Sequence, residues 1–143
     1  TDVGRSKMRR VAEGLRLTCP RVTVLASSPL VRARETAEIV APALRVRRVA
    51  IVEALRPDHP FEELTDWLHG RVAPNGEEIT VAVVGHEPHL SGLVTWLMTG
   101  SRESRIELKK GGACLLEFEQ SPAAGEAILR WALTPSQLRG LAE

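Results

Sequence analysis

Short apolar runs alternate, through residue 100, with longer segments whose apolar positions recur every three or four residues. The short runs predict strands, and the periodic segments predict amphipathic helices. The predicted strands cover residues 22–26, 49–52 and 79–84, and the predicted helices cover residues 1–20, 30–44, 61–69 and 90–98. Regular alternation of strands and helices is typical of βαβ units around a parallel sheet.

The second predicted helix, residues 30–44, carries an apolar stripe. Its predicted buried face consists of Ala33, Ala37, Val40, Ala41 and Leu44. Thr1 is a plausible N-cap for the first helix, and Gly100 is placed to close the fourth.

The last third of the chain has a different period. Ile106 and Leu108 alternate with charged residues, while residues 113–118 and 127–133 predict two strands joined by the turn-rich connector 120–126. This pattern predicts an antiparallel hairpin added to the sheet, followed by a short helix capped by Thr134. The expected fold is a three-layer αβα domain with a mostly parallel mixed sheet and an antiparallel C-terminal hairpin.

The segment 79–91 runs from a predicted buried strand through a polar turn into a helix. Gly85 permits a tight turn and Pro88 suits the first turn of a helix, so His86 is expected at the carboxyl end of a central strand. In open α/β sheets this is where ligands bind, and helix N-termini favour anions. A satisfied structural imidazole is the alternative interpretation of His86.

Composition narrows the functional classes. A length of 143 residues with 43% hydrophobic content indicates a single domain, residues 1–143, and the net charge of +1 gives no reason to expect a nucleic-acid or membrane partner. The scarcity of aromatic residues argues against a base-stacking surface. The sequence contains no apolar run of membrane-spanning length and no signal peptide, so a cytoplasmic location is expected. Cys19 and Cys114 have no metal-type spacing and are expected to be buried free thiols.

The second predicted strand-to-helix junction, residues 27–37, carries a candidate anion ligand. Arg32 falls at the helix start, where a guanidinium adds a planar fork of donors to the free N–H groups of the helix. Alternatively, Arg32 and Arg34 are solvated helix residues that pair with Glu35 and Glu38.

Other chemistries fit the sequence less well. His89 and Glu87 do not have the spacing of a zinc motif and no third ligand accompanies them, so no metal site is expected. The P-loop and the dinucleotide-binding glycine pattern are absent. Ser27 and Ser28 lack the glycines of a nucleophile elbow, which disfavours a serine hydrolase.

Taken together, the two junctions resemble the histidine phosphatase superfamily, also called phosphoglycerate mutase-like. The segment Ser-Ser-Pro-Leu-Val-Arg-Ala-Arg-Glu-Thr-Ala is similar to the family's Ser-Pro-Leu-x-Arg-Ala-x-x-Thr-Ala motif, and Gly-His-Glu-Pro-His-Leu is similar to its Gly-His-x-Pro-x-Leu motif. The opening Thr1-Asp2-Val3-Gly4 resembles the start of the family's first helix. Small size and the absence of an inserted subdomain make the small SixA-type phosphohistidine phosphatases the closest resemblance.

This resemblance implies a covalent mechanism without metal or organic cofactor. In the family a histidine attacks phosphorus, a phosphohistidine forms, and water releases phosphate. Arg32 matches the family's phosphate-binding arginine, His86 matches its second histidine, and Glu53 is a weaker match to a carboxylate general acid. The implied substrate is a protein phosphohistidine, with a small phosphorylated metabolite as the alternative and no nucleic acid or membrane as partner; the oligomeric state is left open.

The sequence departs from the family at one place. The nucleophilic histidine of the family belongs to an Arg-His-Gly motif on its first strand, and this chain contains no such motif; His59 and His69 lie in other contexts. We therefore expect that the domain lacks its N-terminal first strand, either because the sequence is trimmed or because the protein is a degenerate relative. In the second case the chain is a non-catalytic phosphate-binding regulatory module.

Overall fold

A computed structural model describes residues 1–71 and 76–143. Its helices are α1 (Asp2–Thr18), α2 (Val31–Leu44), α3 (Phe61–His69), α4 (His89–Thr99) and α5 (Pro135–Leu141). Its strands are β1 (Val24–Ser27), β2 (Val49–Ile51), β3 (Val81–Val84), β4 (Ala113–Glu117) and β5 (Ile128–Leu133), and a single 3₁₀ turn spans Glu53–Leu55. The predicted surface loop 71–78 lies partly outside the described residues.

Three strands form a parallel sheet in the order β2-β1-β3. Leu25 pairs with Val49 on one side, and Ser27 pairs with Val84 on the other. Helices connect the successive parallel strands, which confirms the predicted alternation of strands and helices.

Helices cover both faces of this sheet. Leu25 of β1 packs into a core formed with α1 and α2, whereas its neighbour Ala26 packs into a second core formed with α3 and α4. Since successive residues of a strand point to opposite faces, this alternation places a helical layer on each side. The predicted three-layer αβα arrangement is confirmed.

Local helix signals are also confirmed. The Thr1 side chain accepts a hydrogen bond of 2.9 Å from the backbone N–H of Gly4, which caps α1. Thr134 and Gln137 form a capping box at the start of α5. In α2 the buried residues are the five predicted from its apolar stripe.

One prediction about β3 is wrong. The sequence predicts a central strand buried on both faces, but within the described residues β1 is central and β3 is at the edge of the parallel sheet. All four β3 residues are only half-buried. A run of β-branched residues indicates a strand, but it does not determine the position of that strand in a sheet.

The C-terminal hairpin also differs from its prediction. Strands β4 and β5 pair antiparallel as expected, and the exposure of β5 alternates along its length. They form a separate two-stranded sheet, however, and do not extend the parallel one. The segment around Ile106 and Leu108 is not a strand, because the backbone N–H of Leu108 donates instead to the Ser91 hydroxyl at 3.0 Å.

Both cysteines have free thiols, as expected, but they are half-buried and not buried. Burial raises the pKa of the Cys114 thiol to about 11. Across the described parts of the chain, no helix is long and apolar enough to cross a membrane.

Candidate active site

The carboxyl ends of the three parallel strands lie at one edge of the sheet. Each is followed within two residues by a polar side chain: Ser28 comes directly after β1, Glu53 two positions after the end of β2 and His86 two positions after the end of β3. This edge is the position where α/β proteins bind their ligands.

Ser28 and His86 are in direct contact. The Ser28 Oγ and the His86 Nε2 share a hydrogen bond of 2.8 Å between residues 58 positions apart. Register explains the contact, because the backbone N–H of Ser28 donates to the carbonyl of Val84 at 2.9 Å, which places the two strand ends side by side. The Ser28 side chain is 0% exposed, so the bond holds the imidazole from the protein side.

Several hydrogen bonds fix the turn that carries His86. Its carbonyl accepts from the Leu90 N–H at 2.8 Å, and the Glu87 carboxylate accepts from both the backbone N–H and the hydroxyl of Ser91. Pro88 is the N-cap of α4 and follows a cis peptide bond, so it lies one position before the first helical turn that was predicted for it. The turn is therefore held at both ends.

The environment of His86 favours a neutral imidazole. Burial lowers its pKa from the ordinary histidine range, and the nearby His89 lowers it further. With Nε2 engaged by Ser28, the second ring nitrogen, Nδ1, has no hydrogen-bond partner within the described residues. It is the ring atom that remains for a ligand.

Arg32 is the second residue of α2 and is exposed. The N-cap of α2, Leu30, provides no side-chain hydrogen bond, and the first turn contains no acidic residue. Neither Arg32 nor Arg34 forms an ion pair with Glu35 or Glu38 in the described structure, so the predicted pairing is absent. Arg32 therefore adds an unpaired positive charge to a helix N-terminus whose first N–H groups lack helical partners.

Glu53 occupies a different environment. It begins the 3₁₀ turn after β2, is exposed, and pairs with Arg56. Nothing in the described structure joins its carboxylate to His86 or Arg32 by a hydrogen bond or an ion pair. Its role as a general acid stays a prediction.

The other histidines have structural partners. His59 pairs with Glu63 at 2.7 Å, His69 bonds the carbonyl of Pro122 at 2.7 Å, and His89 bonds the carbonyl of His59 at 3.0 Å. Among the described residues, no group of three histidine, cysteine or carboxylate side chains could hold a metal ion. Of the four histidines, His86 is therefore the one that bonds Ser28 at the edge of the sheet.

The contact of Ser28 with His86 was not predicted from the sequence. The segment around Ser28 lacks the glycines of a nucleophile elbow, so the motif alone predicts no role for its hydroxyl. The available signal was its position directly after a strand, opposite a second strand-to-helix junction.

Comparisons with known proteins identify sequences and folds that this chain resembles. Residues 1–59 match the model of the histidine phosphatase superfamily (branch 1). An uncharacterized protein of Picosynechococcus sp. is 29% identical over 113 residues, which make up 78% of this chain and 67% of that protein.

Solved structures share the fold. The structure of the protein histidine phosphatase SixA complexed with tungstate superposes with a TM-score of 0.80 at 22% identity, covering 96% of this chain and 85% of that one. The structure described as the putative phosphohistidine phosphatase SixA from Nakamurella multipartitia superposes with a TM-score of 0.68 at 21% identity, covering 94% of this chain and 83% of that one. The resemblance to the histidine phosphatase superfamily is therefore confirmed, in the family match of the first 59 residues and in a fold that the chain shares with SixA phosphohistidine phosphatases.

Proposed function

We propose that this chain is the phosphate-binding domain of a phosphatase that acts through a phosphohistidine intermediate, with protein phosphohistidine as substrate. The hydrogen bond between Ser28 and His86 carries this proposal, because it joins the two family-like motifs at one edge of the sheet. The family match and the SixA fold support it.

Arg32 and His86 have complementary tasks in this scheme. The guanidinium and the free N–H groups at the start of α2 bind the equatorial oxygens of the phosphoryl group, and the Nδ1 of His86 binds the same group from β3. Both act on charge that spreads over those oxygens in the transition state. Because Ser28 holds the imidazole in advance, little reorganisation is needed when the phosphoryl group arrives.

The proposed chemistry has two steps. A histidine nitrogen attacks phosphorus while the bond from phosphorus to the substrate nitrogen breaks, and the departing imidazole takes up a proton. Water then attacks the phosphohistidine, which releases inorganic phosphate and the free histidine. We assign the proton transfer to the exposed carboxyl group of Glu53 at this edge of the sheet. To act, this carboxyl group must break its ion pair with Arg56.

The nucleophilic histidine is proposed to lie outside these 143 residues. Within the described structure, the edge of β3 opposite β1 has no paired strand. The carbonyls of Thr80 and Val84 accept hydrogen bonds from the β1 side, so the intervening Val81 and Val83 direct their backbone groups away from β1. We propose that an added strand pairs here and carries the Arg-His-Gly motif of the family.

Tungstate is a suitable probe of the phosphate site, because it is a tetrahedral oxyanion like phosphate and its binding requires no nucleophile. We expect the chain to bind tungstate at one site, measured by isothermal titration calorimetry at low ionic strength. Arg32→Ala and His86→Ala should each weaken binding by roughly tenfold to a hundredfold, since hydrogen bonds to a charged group such as tungstate contribute about 1.5–3 kcal/mol.

Arg34→Ala is the matched control. Arg34 is an exposed arginine on the same helix, two residues further from β1, and its removal should leave the affinity unchanged. Equal losses for Arg32→Ala and Arg34→Ala would show that tungstate responds only to general positive charge, and the shared site would be wrong.

A further inference from the structure

His89 is the one histidine of this chain that is buried, at 8% exposure. It is the first residue of α4, three positions after His86. The centroid of its ring lies 5.2 Å from the ring centroid of Phe61. The Phe61 ring in turn packs against Trp96, with 5.7 Å between their ring centroids. A leucine or phenylalanine would fill such an apolar place without burying polar atoms, so packing alone does not explain an imidazole there.

The hydrogen-bond partner of His89 identifies which ring nitrogen carries the proton. The Nε2 of His89 lies 3.0 Å from the backbone carbonyl of His59, and a carbonyl can only accept, so Nε2 carries the proton. In the neutral ring the other nitrogen, Nδ1, is then a bare acceptor. It is buried and has no hydrogen-bond partner among the described residues. Burial of this unsatisfied atom is unfavourable, and the ring is held despite it.

The hydrogen bond joins two segments that follow neighbouring parts of the parallel sheet, one after β3 and one after β2. On one side is the turn that carries His86, whose carbonyl accepts from Leu90 directly after His89. On the other side is the segment 53–59, a succession of turns in which Arg56 N–H donates to the Glu53 carbonyl at 3.0 Å and His59 N–H donates to the Arg56 carbonyl at 3.2 Å. The His59 carbonyl is the point at which His89 holds this segment.

We propose that His89 is a positioning residue of the site, which fixes the segment 53–59, and with it Glu53, at a set distance from His86. The inference rests on the proposed phosphatase function for its catalytic consequence, but the positioning itself is a property of this chain. Without the bond, the loop loses its link to the start of α4, and the carboxyl group at the end of β2 samples positions away from the phosphoryl group.

The variants separate the hydrogen bond from the space that the ring fills. His89→Phe keeps a ring and removes the donor. In His89→Gln the side-chain amide reaches about as far as Nε2, whereas in His89→Asn it reaches only as far as Nδ1. His69→Phe is the matched control, because the Nε2 of His69 also bonds a backbone carbonyl, that of Pro122, at 2.7 Å, but on the exposed end of α3.

Hydrogen exchange tests the positioning without any need for turnover. We expect the amides of Arg56 and His59 to exchange on the order of tenfold faster in His89→Phe, because their protection depends on a closed loop. His89→Gln should restore most of that protection, and His69→Phe should not change it. If His89→Phe does not fold, the exchange rates in His89→Gln and His89→Asn are compared instead. Only the Gln amide reaches far enough to bond the His59 carbonyl, so exchange should be faster in the Asn variant.

Steady-state kinetics on a phosphohistidine peptide tests whether this positioning matters for catalysis. The measurement uses a form of the protein that includes the proposed additional strand with the nucleophilic histidine. We expect His89→Phe to lower kcat on the order of tenfold to a hundredfold with little change in KM, as a displaced reacting group would, and His89→Gln to restore it. The proposal would be overturned if the amides of Arg56 and His59 exchanged at an unchanged rate in both His89→Phe and His89→Asn. It would also be overturned if these amides exchanged faster while kcat stayed the same. If the unsubstituted protein hydrolyses no phosphomonoester or phosphohistidine, the proposed function fails, while the exchange data still decide whether His89 positions the loop.

Discussion

Ser28 connects the two halves of the candidate site at the level of single atoms. Its hydroxyl bonds His86 and also accepts the N–H of Leu30 at 3.2 Å, one residue before α2 begins. The side chain therefore links the imidazole after β3 to the start of the helix that carries Arg32. This arrangement orients His86 through a group that does not itself face the solvent.

Ser28→Ala should weaken tungstate binding about threefold to tenfold, because the His86 ring loses the bond that orients it. The free energy of unfolding should fall by about 1–3 kcal/mol, because the hydroxyl makes two hydrogen bonds and each contributes about 0.5–1.5 kcal/mol. Titration calorimetry measures the affinity, and urea unfolding measures the free energy of unfolding.

Ser27→Ala is the control for Ser28→Ala. Ser27 is equally buried, but its hydroxyl donates to the Ser28 carbonyl at 2.8 Å and does not touch His86. Ser27→Ala should lower the free energy of unfolding by about 1 kcal/mol, through the loss of one hydrogen bond, and keep its affinity for tungstate. A similar loss of affinity in both variants would attribute the effect to local packing and not to the orientation of His86.

At the level of elements, α1 and α5 lie very close to each other at Gly14. A Cβ added at Gly14 would lie 1.9 Å from the carbonyl oxygen of Leu138, which is far inside van der Waals contact. Leu138 is itself fully buried. Glycine at position 14 is therefore required by the packing of α5 onto the first helix.

Gly14→Ala should destabilise the protein by about 1–3 kcal/mol, because the two helices must move apart to admit the methyl group. Gly140→Ala in α5 provides a control of opposite sign, since no atom lies within 4 Å of its added Cβ. That change should be neutral or stabilise by up to about 1 kcal/mol, through the better helix propensity of alanine. Chemical denaturation of both variants measures the difference, and an unaffected Gly14→Ala protein would contradict the described contact.

At the level of the whole molecule, the two sheets pack against one common core, and no hydrogen bond joins them within the described residues. Leu116 of β4 packs against the same core as Trp96 and Leu97 of α4, whereas β3 and β4 each pair with only one described strand. This arrangement leaves an open edge on the parallel sheet at the strand that leads to His86. The proposed additional strand would occupy that edge.

If the complete gene product carries the proposed additional strand, it should hydrolyse a phosphohistidine peptide, whereas residues 1–143 alone should bind oxyanions without turnover. The reason is that the nucleophile is proposed to lie on the added strand. Release of inorganic phosphate measures turnover, and Arg32→Ala and His86→Ala in the complete product should each reduce it about a hundredfold to a thousandfold.

The substrates tested in parallel distinguish the alternatives. Faster turnover of a small phosphorylated metabolite than of the peptide would favour a metabolite phosphatase. Tungstate binding by a complete product that lacks turnover would favour a phosphate-binding regulatory module, and the phosphatase proposal would then be wrong.

Much of the local structure could be predicted from the sequence because its causes act within one or two turns of chain. The five buried positions of α2, the bounds of α3 and the Thr134 cap all depend on contacts between residues three or four apart. The two strand-to-helix junctions, with Arg32 and His86, could be found in the same way, as could the family resemblance that their motifs carry.

Only the tertiary structure decided which distant groups meet. The edge position of β3, the separation of the hairpin from the parallel sheet, the contact of Ser28 with His86 across 58 residues and the burial of His89 leave no periodic trace in the sequence. Strand order and side-chain partners are set by packing between segments far apart in the chain, and the same apolar run is compatible with a central or an edge strand. Local patterns determined the elements and the candidate ligands, and the pairing of β1 with β3 brought Ser28 to His86.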